Sequence, residues 1–162
     1  MRLWVLVLLI VLSACGNGGA DGDLCSRTFS PYPDLVSTRL RSKDNAALMD
    51  AMTLYSKQDF AGAATGLEVY LKRRDADKIA RLYLASCYLA LHKPYDAELV
   101  LDHLEQSSQK DDFREQCEWY TVICWLCSDQ KDRALTGARS IAGTARHTYR
   151  KEATALVNAL AP

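Results

Sequence analysis

Tyr83-Leu84-Ala85-Ser86-Cys87-Tyr88-Leu89-Ala90-Leu91-His92-Lys93-Pro94-Tyr95-Asp96-Ala97 is the stretch that decides the fold. Leu84, Ala85, Tyr88 and Leu91 recur at i, i+1, i+4 and i+7, which makes one apolar helix face. Lys93-Pro94 breaks that helix, and Pro94 suits the first turn of a new one. Beyond it, Ala97, Leu101 and Leu104 face back toward the first helix. The stretch therefore predicts a helical hairpin.

The hairpin repeats in both directions. Ala51-Met52-Thr53-Leu54-Tyr55 aligns with Ala85-Ser86-Cys87-Tyr88-Leu89 at an offset of 34, which also takes Ala63 to Ala97 and Leu67 to Leu101. At an offset of 37, Tyr83, Cys87, Tyr88, Leu89 and Ala97 map onto Tyr120, Cys124, Trp125, Leu126 and Ala134. The three extra residues fit the polar run 106–112, read as a loop. Ala63, Ala97 and Ala134 mark places where two helix backbones approach closely. Asp59 is placed to cap the helix that starts at Phe60. The pattern predicts helices over about 44–57, 60–73, 77–92, 95–107, 112–128, 131–143 and 147–160. No run of β-branched residues alternates with period two, so the expected class is all-α.

From Asp44 onward the chain resembles tetratricopeptide-repeat proteins, whose unit is 34 residues long. Ala85, Tyr88 and Ala97 match that family's small, aromatic and alanine positions. The first unit departs with Leu54 at the aromatic position. The third departs with Val122 at the small position, and its early aromatic is displaced to Trp119. The resemblance implies an α-α superhelix of about three degenerate hairpins over 44–162, closed by a C-terminal capping helix. Arg150, Lys151 and Glu152 would give that cap its solubilising face. It also implies a concave groove lined by first-helix positions. These are Asn45, Leu48, Met52 and Tyr55, then Ile79, Leu82, Ser86 and Leu89, then Gln116, Trp119, Ile123 and Leu126. Nine of these twelve are apolar, unlike a groove that reads charged peptide tails. Such a wall either docks a protein or peptide partner or is covered by the chain itself, since open apolar patches of several hundred Å² are rare on monomers. Leu35, Val36 and Leu40 are available to cover it.

At the N-terminus, Arg2 precedes ten uncharged apolar residues, Leu3 to Leu12. A spanning helix needs about 20 such residues, whereas ten behind a basic residue suit the core of an export signal. Leu12-Ser13-Ala14-Cys15 resembles the lipobox of bacterial lipoproteins. That resemblance implies a signal peptide over 1–14, a lipidated Cys15 and membrane attachment through several acyl chains. With Gly16 rather than Asp after the cysteine, it favours the outer membrane, periplasmic side. Residues 15–43 are read as the lipidated cysteine and a tether. Four glycines in eight residues after Cys15 make a flexible tether to about Pro33, and Pro31-Tyr32-Pro33 punctuates the entry to the folded part.

Charge is balanced, with 20 Lys and Arg against 20 Asp and Glu, so the chain lacks the basic footprint of a nucleic-acid binder. Six cysteines include Cys15, which leaves Cys25, Cys87, Cys117, Cys124 and Cys127, an odd number for an oxidising compartment. Cys124 and Cys127 have redox-motif spacing but fall late in a helix, where the dipole does not lower a thiol pKa. Cys117 and Cys124, seven residues apart on one helix, are separated by about 10.5 Å at 1.5 Å rise per residue, too far for one zinc. Packing between hairpins is the simpler role for these thiols. A disulfide between repeat-equivalent Cys87 and Cys124 needs Cα atoms within about 7 Å, closer than helix axes usually pack. His92, His103 and His147 are scattered, with His92 and His147 suited to helix ends. No phosphate loop or nucleophile elbow is present. The expectation is a non-enzymatic interaction adaptor with no cofactor or metal. Two alternatives stand beside it: a redox accessory using Cys124 and Cys127, and a structural spacer whose groove is self-filled.

Overall fold

The protein is described here by a computed structural model covering residues 21–105 and 113–161. Residues 1–20, on which the expected signal peptide, the expected lipidation at Cys15 and the start of the expected tether fall, and residues 106–112, read as a loop, lie outside the described residues. Within them, all regular structure is helical: α1 (Asp21–Thr28), α2 (Ala46–Ser56), α3 (Phe60–Leu71), α4 (Lys78–Ala90), α5 (Pro94–Glu105), α6 (Arg114–Cys127), α7 (Lys131–Gly143) and α8 (Arg150–Leu160). Helices α2 to α8 are the seven expected from the sequence, with ends agreeing to within three residues.

From α2 onward each helix packs on its neighbour in sequence, giving the hairpins α2–α3, α4–α5 and α6–α7 with α8 closing the stack. The hairpins are started and stopped by local chemistry. Asp59 accepts the Gly62 N–H at 3.0 Å and Asp77 accepts the Ala80 N–H at 3.1 Å, which satisfies otherwise unpaired donors at the starts of α3 and α4. The first helix of every hairpin ends in the same way. Gln58, His92 and Asp129 have φ of 62°, 56° and 60°. In each case the next N–H, from Asp59, Lys93 and Gln130, reaches back to the carbonyl of Leu54, Tyr88 and Trp125. This is a helix stop with a left-handed residue, made here without glycine. The three positions are themselves 34 and 37 residues apart, so the backbone carries the repeat.

Within the hairpins, Ala63, Ala97 and Ala134 have no exposed surface. A side chain added at Gly66 would lie 2.9 Å from the Ala51 Cβ, and one at Gly137 would lie 2.6 Å from the Val122 Cγ2. The third hairpin thus keeps its close approach despite Val122, because Gly137 stands opposite.

The segment before α2 departs from expectation. Residues 16–33 are read as tether in the sequence, yet from Asp21 onward the chain is folded onto the repeats. Helix α1 packs on α6, with Cys25 buried and Leu24 and Phe29 against the core. The glycine count made the segment look flexible, while those three apolar residues give it a face to bury. A disulfide joins Cys25 to Cys127 at the end of α6, with Cα atoms 5.0 Å apart and a sequence separation of 102.

Candidate functional site

After α1 the chain runs without regular structure over residues 29–34 and lies against the first helices of all three hairpins. Four hydroxyl groups hold its backbone. Tyr120 of α6 donates to the Ser30 carbonyl at 2.9 Å. Tyr55 of α2 donates to the Tyr32 carbonyl at 2.7 Å. Ser86 of α4 accepts the Tyr32 N–H at 2.9 Å and contacts the Tyr55 hydroxyl at 2.9 Å. Since the one Tyr55 proton is used on Tyr32, Ser86 is the donor in that last pair. Tyr83 of α4 donates to the Pro33 carbonyl at 2.9 Å and accepts the Leu35 N–H at 2.8 Å. Ser86, Tyr55 and Tyr83 each act as donor and acceptor at once, so these hydroxyls are satisfied by the segment's backbone and by one another.

Two side chains of the segment are seated. Tyr32 is buried, its ring centroid 5.5 Å from that of Tyr83 and 6.3 Å from that of Tyr120. Val36 is 1% exposed. Between them, Asp34 turns the chain by accepting the N–H groups of Val36 and Ser37 at 2.9 Å each. Burial raises the Asp34 pKa and these bonds lower it; the bonds win, and the carboxyl sits below its ordinary value. Burial pushes Tyr83 up to about 12 and raises Tyr55, Tyr120 and Tyr32 above the ordinary tyrosine value.

The expected groove residues Leu48, Met52, Tyr55, Leu82, Ser86, Leu89, Trp119, Ile123 and Leu126 are all buried. Tyr55 and Ser86 touch the segment directly. Trp119 does not present an open face: Tyr149, just before α8, stacks on it with centroids 5.6 Å apart and planes 10° from parallel. Of the three residues available for covering, only Val36 is buried. Leu35 is 54% exposed and Leu40 94% exposed, because the Asp34 turn points the first outward and the chain has left the groove by the second. Counting groove positions missed Tyr83 and Tyr120, each one residue beyond an assigned position. Their equivalence at an offset of 37 was the available signal, together with a hydroxyl in an otherwise apolar wall.

Three cysteines keep the packing role expected of them, and one forms an unexpected bond. Cys127 is bonded to Cys25, and Cys87, Cys117 and Cys124 are buried free thiols, so Cys87 and Cys124 form no bridge. Burial pushes Cys87 and Cys117 up to about 12 and raises Cys124 too, which suppresses the thiolate needed for redox chemistry. The disulfide borders an open cleft of about 300 Å³ lined by Cys25, Ser26, His92, Pro94, Leu126, Cys127 and Asp129. His147 is buried and lies 2.9 Å from Glu118, while its Nδ1 accepts the Tyr149 N–H at 3.1 Å, a local role at the start of α8. Among the described residues, no group of three or more His, Cys, Asp or Glu is placed to hold a metal ion, and no helix is long and apolar enough to cross a membrane.

Compared with known proteins, the chain matches no family model, no curated protein and no solved structure.

Proposed function

We propose that this chain is a lipid-anchored adaptor of the bacterial cell envelope, whose tetratricopeptide-like domain binds a protein partner through its concave groove. The observation that carries the reading is the seating of residues 30–36. An extended segment lies across three hairpins and is held mainly through its backbone, which is how a peptide ligand is held. The Cys25–Cys127 bond fits an exported, oxidising location, in keeping with the Leu12-Ser13-Ala14-Cys15 box. The left-handed turns at Gln58, His92 and Asp129 support the repeat assignment.

A second reading has its own observation. Burial of Tyr32 and Val36, in a segment pinned upstream by the Cys25–Cys127 bond, favours a structural spacer whose groove stays permanently filled. Cell-based work separates the two. Full-length chain carrying a photocrosslinker at exposed Pro33, on the outer side of the seated segment, is expressed in a diderm bacterium. The adaptor reading expects fatty-acid label on the wild-type protein, none on Cys15→Ala, and a crosslink to one envelope protein. Label persisting on Cys15→Ala sinks the anchor. Labelled, membrane-bound protein that never crosslinks leaves the spacer as the better reading.

A further inference from the structure

The seated segment also defines the ligand that the groove accepts. Its sequence is Pro31-Tyr32-Pro33-Asp34-Leu35-Val36. Recognition falls on three features: backbone carbonyls and N–H groups from residue 30 to residue 35, the Tyr32 ring between Tyr83 and Tyr120, and the buried Val36. Pro31, Pro33 and Leu35 are exposed. The prolines act on the chain itself: fixed φ at 31 and 33, with Ser30 and Tyr32 restricted before them, keeps the segment extended before it binds. Any partner segment with a proline-flanked tyrosine and a small apolar residue four positions later meets the same demands.

An outside peptide must displace a segment pinned at both ends. One end continues through residues 37–45 into α2, and the other is bonded through Cys25 to Cys127. Tethering at both ends gives the internal segment an effective concentration that a free competitor cannot match. The disulfide is reachable, since Cys127 is only partly buried and borders the cleft shared with His92, Pro94 and Asp129.

We propose that the groove is a peptide site self-ligated by residues 30–36. It admits an extended partner peptide of the type Pro-Tyr-Pro-x-x-Val once a dithiol reductant opens the Cys25–Cys127 bond. In the exchange, a reductant thiolate attacks one sulfur of the pair and forms a mixed disulfide. The other cysteine leaves as a thiolate and takes up a proton. The second reductant thiol then resolves the mixed disulfide. The protein gains two thiols and the reductant ends as a disulfide. The inference rests on the adaptor reading for its biological setting, but its test uses neither lipid nor cell.

The probe is a fluorescent peptide with the sequence of residues 28–38, added to purified full-length protein and followed by fluorescence anisotropy. Helical circular dichroism is recorded in parallel. Expected is binding at least tenfold tighter to protein reduced with a phosphine than to oxidised protein, with helicity unchanged. The same peptide with its tyrosine replaced by alanine should bind at least tenfold more weakly. An oxidised Tyr32→Ala, Val36→Ser protein, its internal ligand crippled and its disulfide intact, should also bind the probe. Absence of binding to that helical variant overturns the peptide site. Equal binding to oxidised and reduced wild type, or loss of helicity on reduction, overturns the disulfide as its lock. A failed crosslink in cells with positive anisotropy would instead count against the adaptor reading alone.

Discussion

Gly137 shows how one residue reconciles a departure from the repeat with close packing. A glycine inside a helix costs about 1 kcal/mol relative to alanine, so Gly→Ala on an open helix face stabilises. At Gly137 the new methyl would meet the Val122 Cγ2 at 2.6 Å and the Trp125 Cζ3 at 3.0 Å. Val122 is buried and has one stiff torsion, so it has little room to move away. Overpacking of this kind costs about 1–3 kcal/mol, which outweighs the helix gain. Gly137→Ala is therefore expected to lower stability in urea denaturation. Gly143→Ala, with nothing within 4 Å, is expected to be neutral or stabilising. Adding Val122→Ala to Gly137→Ala should restore part of the loss, with a coupling of about 0.5–3 kcal/mol. Equal effects at the two glycines would refute the contact. Legibility at this scale was uneven. The unusual Val122 was visible in the sequence, and so was the tyrosine pair Tyr83 and Tyr120. Neither Gly137 as the compensation for the one nor the strand of backbone that the other holds could be read without knowing which residues face each other.

At the scale of elements, the hairpin turns repeat a strained choice. Gln58, His92 and Asp129 hold positive φ without being glycine, and a left-handed non-glycine residue costs about 1–2 kcal/mol. Gln58 is exposed, and neither of its side-chain ends is needed for the turn, whose bonds come from backbone N–H groups of Gln58 and Asp59. Gln58→Gly should raise the melting temperature, corresponding to about 0.5–1 kcal/mol after the loss of unfolded-state restriction is set against the relieved strain. A fall in melting temperature would mean that the Gln58 side chain contributes contacts that outweigh the strain. Helices α2 to α8 were legible because each carries a 3.6-residue apolar pattern and most have a clear stop. Helix α1 was not. Its eight residues are too short for a periodic signal, its preceding glycines speak for a linker, and what holds it is a disulfide to a cysteine 102 residues away. Cysteine pairing across such a distance leaves no trace in local pattern, and the Cys124–Cys127 spacing drew attention to the wrong partner.

Across the whole molecule, the seated segment and the disulfide join the N-terminal part of the domain to all three hairpins. Closing a loop of about 100 residues restricts the unfolded chain by an amount worth about 4.7 kcal/mol in the entropic account. Much of the same assembly depends on hydroxyl and thiol groups that must stay protonated. Burial pushes Tyr83 up to about 12; burial first and then Asp77 does the same for Tyr70, and burial first, then Tyr32 and Glu152, for Tyr149. Unfolded tyrosine titrates near 10. Below that pH both states hold the proton, so stability is fully present and flat. Between about 10 and 12 the unfolded chain gives up protons that the folded chain keeps, so stability falls as pH rises through this window. Cys87 and Cys117, also pushed up to about 12 by burial, act with the same sign and extend the window down toward the ordinary thiol value of about 8.5. Melting temperatures measured from pH 7 to 12 should hold to about 8.5 and then decline with increasing steepness above 10. Tyr83→Phe removes one of the contributing protons along with the bonds to Pro33 and Leu35. It should melt lower at pH 7 yet lose less on going from pH 10 to 12 than the wild type does. Parallel declines for the two proteins would show that Tyr83 is not held protonated by its seat against residues 33–35, and the tight backbone contacts assigned to it would have to be withdrawn.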